Sequence, residues 1–80
     1  MNVFLRAREE FYGQLYERFL ENSGPYLGKT EADALKEINP LIARAELYAS
    51  DLKHIHVNRL ESVRLTASGV DYYEKEFLGE

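Results

Sequence analysis

The rhythm of apolar side chains switches after Leu52 and switches back after Leu65, and this limits the folds open to the chain. From Leu41 to Leu52 the apolar residues Leu41, Ala45, Tyr48 and Leu52 recur at spacings of four, three and four. That is the period of a helix with one face on a core. Beyond Leu52 the period falls to two. Ile55 and Val57 are expected on one side and His54 and His56 on the other, and Val63 and Leu65 alternate with Arg64. Turn-forming residues bracket Asn58–Ser62, so the segment reads as an antiparallel hairpin with one buried face. Helical spacing then returns with Ala67, Val70, Tyr73 and Phe77, and Thr66 is placed to cap that helix.

The rest of the chain reads as further helices. Residues 2 to 21 predict one long helix with apolar side chains at Phe4, Leu5, Phe11, Tyr12, Leu15, Tyr16, Phe19 and Leu20. These cover about half the circumference, wider than the stripe one neighbour needs. Either the helix packs on two elements of its own domain, or part of the face meets a second copy of the chain. Small domains often add oligomerisation to bury enough area. Arg8 falls inside this face. It is expected to lay its methylenes on the core, stack on Phe4 or Tyr12, or pair with an acid.

Asn22-Ser23-Gly24-Pro25 ends the first helix. Tyr26-Leu27 reads as a short extended piece. Thr30 with Asp33 resembles a capping box that opens a short second helix, whose apolar face is Ala32, Leu35 and Ile38. Asn39-Pro40 is a good start for the third helix, expected from about Pro40 to Leu52.

Composition excludes several classes. The 80 residues suit one domain, 1–80, and a hydrophobic share of 45% with 30% charged residues is a globular mixture. There is no cysteine, hence no disulfide and no thiol nucleophile. The apolar runs Val3-Phe4-Leu5 and Leu41-Ile42-Ala43 are three residues long, far below the roughly 20 of a membrane span. The start carries Arg6, Arg8, Glu9 and Glu10 and does not read as a secretory signal. A soluble cytoplasmic domain with no membrane partner is expected.

The order helix, short helix, helix, hairpin, helix resembles a prokaryotic winged-helix (winged helix-turn-helix) domain. The segment Val63-Arg64-Leu65-Thr66-Ala67-Ser68-Gly69-Val70-Asp71-Tyr72-Tyr73-Glu74 is similar to the "LT-x-x-G-(I/V)-x-Y" stretch that often closes such domains. There the Leu ends the second wing strand, the Thr caps the final helix, and the Gly lets that helix approach the sheet. Arg8 to Leu20 is similar to their first helix, and Ala45 to Ile55 to their third helix running into the wing. Many relatives carry a Gly just after the third helix, where Lys53-His54 stands here, so a differently shaped helix end is expected. The resemblance implies a mainly α fold with a small antiparallel hairpin, and most often DNA binding through the third helix and the wing.

Under that implication, Arg44, Ser50 and Lys53 would meet the groove edge and Arg59 and Arg64 the phosphates of double-stranded DNA. The outward face of the third helix, however, holds Ala43, Glu46, Leu47 and Ser50, a poor groove reader. The chain carries a formal net charge of −4. By segment the charge is −2 over residues 1–35, +1 over 36–66 and −3 over 67–80, so only the middle third is not acidic. A dedicated binder normally shows a distinct basic patch.

The expectation is a transcription-regulatory, DNA-binding homodimer, its contact made by Phe4, Phe11, Leu15 and Phe19. The alternative is a protein-interaction module without nucleic acid, in which the surplus tyrosines Tyr12, Tyr26 and Tyr72 and an outward Leu47 serve as anchors. No catalytic residue and no cofactor is read from the chain. His54 and His56 offer two metal ligands on one expected strand face, but a site needs a third, and Glu61 is the hairpin's one acid.

Overall fold

A side-chain cap starts the first helix. The computed structural model describes residues 2–80, and in it Asn2 Oδ1 accepts from the backbone N–H groups of Phe4 and Leu5 at 2.9 and 3.1 Å. Helix α1 then runs Val3–Leu20, one residue inside the expected bounds at each end because Asn2 and Glu21 are its caps. Ala7, Phe11, Tyr12 and Leu15 are buried along it. The wide apolar face is used within the chain, since α1 packs on the third helix, the second hairpin strand and the last helix.

Leu27 and Val63 exchange backbone hydrogen bonds of 2.7 and 2.9 Å, so the expected extended piece joins the hairpin as an isolated antiparallel bridge. Helix α2 spans Lys29–Ile38 and starts at Gly28, not at Thr30. Lys29 bonds Asp33 one turn on, and the Arg18–Glu31 ion pair links α2 to α1. Ala32 is buried and Leu35 half-buried, but Ile38 is 78% exposed. The expected face fails there because steps of three residues drift about 60° apiece around a helix.

Helix α3 spans Leu41–Asp51, and Asn39 Oδ1 accepts from the Leu41 N–H at 3.1 Å. Its buried line is Ile42, Ala45 and Ala49; Leu41 and Tyr48 are half-buried and Leu52 is exposed. The helix is turned so that alanines face inward, because small side chains let α1 and α3 come close. Lys53 follows at φ 60°. It takes the left-handed backbone region that glycine adopts most readily.

Strands β1 (Ile55–Val57) and β2 (Val63–Leu65) pair antiparallel with Ile55 opposite Leu65, His56 opposite Arg64 and Val57 opposite Val63. Asn58 Oδ1 closes the turn by accepting from the N–H groups of Leu60 and Ser62 at 2.9 and 3.0 Å. Val63 and Leu65 are buried as expected; Ile55 is half-buried and Val57 exposed. His54 precedes β1 and is only 9% exposed, not on a solvated strand face with His56.

Thr66 Oγ1 accepts from the Gly69 N–H at 3.2 Å and opens α4, Ala67–Phe77. Gly69 is buried where α4 meets the end of α3: a Cβ there would stand 2.2 Å from the His54 carbonyl oxygen. Val70, Tyr72, Tyr73 and Phe77 turn partly inward, while Ala67 is exposed. The result is four helices and a two-stranded hairpin over one core led by Phe11, Tyr12, Leu15, Leu27, Ile42, Val63 and Leu65, a layout compatible with a winged helix. Among the described residues no helix is long and apolar enough to cross a membrane.

Candidate functional site

The outward face of α3 does not stand alone. Together with α2 and the hairpin it walls a groove of about 630 Å³. Its apolar lining includes Ala43, Leu47, Ile55 and Val57, and Leu47 and Val57 keep 52% and 49% of their surface exposed. Such side chains project because the inward positions of α3 are taken by Ile42, Ala45 and Ala49, and because β1 is covered less completely than β2.

The charges around this groove largely cancel one another. Lys29 Nζ lies 2.9 Å from Asp33 Oδ2, and Lys36 Nζ lies 2.8 Å from Glu46 Oε1. The hydrogen bond from Lys29 holds the Asp33 carboxyl below its ordinary pKa, and Asp33 in turn raises that of Lys29. Arg44 and Glu61 complete the ring of charge without an ion pair among the described residues.

Of the five residues expected at DNA, the fold gathers two. Arg44 and Ser50 line the groove. Lys53 is exposed at the turn ending α3, and Arg59 is exposed at the hairpin tip. Arg64 alternates with the groove-side strand positions and so belongs to the other hairpin face. There its Nη1 donates to the Leu65 carbonyl at 3.1 Å and its guanidinium lies 6.0 Å from the Tyr26 ring.

The expected dimer residues divide as well. Phe11 and Leu15 are 0% exposed and enclosed by their own domain, so they have no surface to offer a second copy. Phe4 is half-buried and meets Tyr48 edge-to-face at 5.9 Å. Phe19 remains exposed, next to exposed Leu20.

A second constellation lies at the junction of α1, α3 and α4. Tyr12, on the expected apolar face of α1, is wholly buried and so cannot serve as the surface anchor of the alternative reading; its hydroxyl is 2.6 Å from Nδ1 of His54. Burial pushes the Tyr12 hydroxyl to higher pKa and that of His54 to lower. Burial thus favours the neutral form of both groups, which share this one hydrogen bond. The Tyr72 ring tilts over His54 at 4.8 Å. Arg8 stacks on Phe4, one of its expected options, and Nη1 donates to the Tyr72 hydroxyl at 3.1 Å.

The pairing of Tyr12 with His54 is missed from the sequence because strand alternation puts His54 on a solvated face beside His56. The available signal was the position of Tyr12 one turn beyond Arg8 on the apolar face. His54 and His56 are separated by the same arrangement, since Tyr12 occupies Nδ1 of the first while the second is exposed across from Arg64. Among the described residues no three His, Asp or Glu side chains gather in the manner of a metal site. Compared with known proteins, the chain matches no family model, no curated protein and no solved structure.

Proposed function

We propose that this chain is a winged-helix domain that works as a protein-interaction module, docking an amphipathic segment of a partner protein in the groove between α3 and the hairpin. One observation carries the reading: the groove exposes Leu47 and Val57 while its lysines are already held by Asp33 and Glu46. Duplex DNA is bound by Lys and Arg side chains that neutralise its phosphates and release the counterions condensed on them. Here two of the three groove cations are engaged within the chain, and Glu61 adds a further negative charge to the same lining. An apolar seam rimmed by charges of both signs suits a peptide whose own rim alternates in charge.

Duplex DNA is the second reading. Arg44 and Ser50 in the groove, with Lys53 and Arg59 exposed nearby in sequence, favour it. Fluorescence anisotropy with random duplex DNA at about 50 mM salt separates the two, because phosphate-driven binding is strong there and falls steeply toward about 200 mM. No binding is expected. Saturable binding that weakens with salt and is lost in Arg44→Ala would overturn the interaction reading and establish the second. Among amphipathic peptides selected on the wild-type chain, Leu47→Glu is expected to abolish binding without lowering the melting temperature.

A further inference from the structure

Arg8 is a cation held in place without an anion. Its guanidinium carbon lies 4.9 Å from the centre of the Phe4 ring and 4.5 Å from that of Tyr48. These two rings stand at 81° to one another, so the cation occupies the corner between them. Attraction to both π-faces fixes its position without using its N–H donors. A guanidinium has five such donors. Within the chain one of them is used, from Nη1 to the Tyr72 hydroxyl, and Nε is buried with no protein partner. Among the described residues no carboxylate lies within 4 Å of Arg8; the three ion pairs are elsewhere. Glu76 reaches Tyr72 only through space.

The hydroxyls of Tyr48 and Tyr72 lie 3.4 Å apart beside this edge. Tyr72 already accepts from Arg8 Nη1, so its own O–H remains to donate, either to Tyr48 or to a bound oxygen. A guanidinium edge and an adjacent O–H match the two oxygens of a carboxylate or two oxygens of a phosphate. A Leu or Met at position 8 would fill the apolar face without the cost of a half-buried, uncompensated charge.

We propose that Arg8, Tyr48 and Tyr72 form an oxyanion-binding site at the junction of α1, α3 and α4, taking a carboxylate or phosphate group edge-on to the guanidinium. The site is separate from the α3–hairpin groove and does not depend on the reading of that groove. It draws on three helices, so it exists only in the folded chain.

The test is a titration of the full, ¹⁵N-labelled chain at constant ionic strength. Inorganic phosphate is the probe in one arm and glutarate in the other, with chloride as the reference salt. The Arg8 Nε–Hε cross-peak is expected to shift saturably while that of exposed Arg6 stays in place. Tyr72→Phe is expected to weaken the binding about tenfold, the worth of one charge-assisted hydrogen bond. A response to phosphate alone assigns the site to phosphate groups, and a response to glutarate alone to carboxylates. An Arg8 signal unmoved by both probes, or moved no more than that of Arg6, would overturn the proposal and leave Arg8 as a packing cation. The wild-type titration decides this by itself, even where a variant fails to fold.

Discussion

The Tyr12 hydroxyl lies 2.6 Å from Nδ1 of His54, joining the middle of α1 to the residue that connects α3 to β1. The backbone of His54 is tied in as well. Its N–H donates to the Ala49 carbonyl, and its carbonyl accepts from the Thr66 N–H, both at 2.8 Å. One residue therefore fastens the hairpin to three helices.

This arrangement makes stability depend on pH. Desolvation lowers the pKa of His54 in the fold below its ordinary 6.5. Below that ordinary value the unfolded chain takes up the proton more readily than the folded one. The stabilisation is thus fully present above 6.5 and falls as the pH drops from there through the depressed folded-state value. Urea denaturation at about pH 7.5 and about pH 5.5 reads the loss. His54→Asn, which keeps an acceptor for Tyr12 and cannot charge, is expected to flatten the difference; an unchanged slope would sink the assignment to His54.

Gly69 is where α4 touches the chain between α3 and β1. Gly69→Ala would press a methyl group 2.2 Å from the His54 carbonyl oxygen, a backbone atom that cannot turn aside. The gain in helix propensity, about 1 kcal/mol, is smaller than the overpacking. A net loss of up to about 2 kcal/mol is expected from chemical denaturation. Equal or greater stability would show that α4 can move away freely.

Lys53 holds φ at 60° with a full side chain. Lys53→Gly is expected to raise stability by about 0.5–1 kcal/mol, since only glycine adopts this region without steric cost. Lys53→Val should lower it, as a β-branched residue fits that region worst. Thermal melts of the two variants check both signs.

The inward line of α3 is open to a direct comparison. Ile42 is fully buried and Leu52 is not. Ile42→Ala should cost about 2–5 kcal/mol, the range for emptying a core site. Leu52→Ala should cost less than about 1 kcal/mol. Reversed values would restore the line of large apolar residues that helical spacing alone suggests.

The burial of Phe11 and Leu15 bears on assembly. With those side chains enclosed, the end of α1 at Phe19 and Leu20 is the exposed remnant of the broad apolar face. Light scattering at tens of micromolar is therefore expected to report a monomer. A dimer dispersed by Phe19→Glu would show that this remnant suffices.

Much of the fold was legible because it rests on local chemistry. Thr66 as a cap, the break after α1 and the buried Val63 and Leu65 all follow from what neighbouring residues can do along one strand or helix, whereas Gly69 as a point of close approach is what the family resemblance implies. The errors have a common origin. Size and spacing alone point Leu52, Ile38 and Val57 inward, but burial also needs a partner at the right height and angle. Ala45 and Ala49 were the better fit against α1 because they are small.

The candidate sites divide along the same line. Period, caps and breaks determine from the sequence alone that the chain forms helices around one hairpin, since these depend on residues a turn or less apart. Which charges are neutralised, which tyrosines are buried and which cation lacks an anion were decided only by tertiary packing. Lys36 and Glu46, Arg8 and Tyr72, and Tyr12 and His54 come from different elements and meet only when those elements dock.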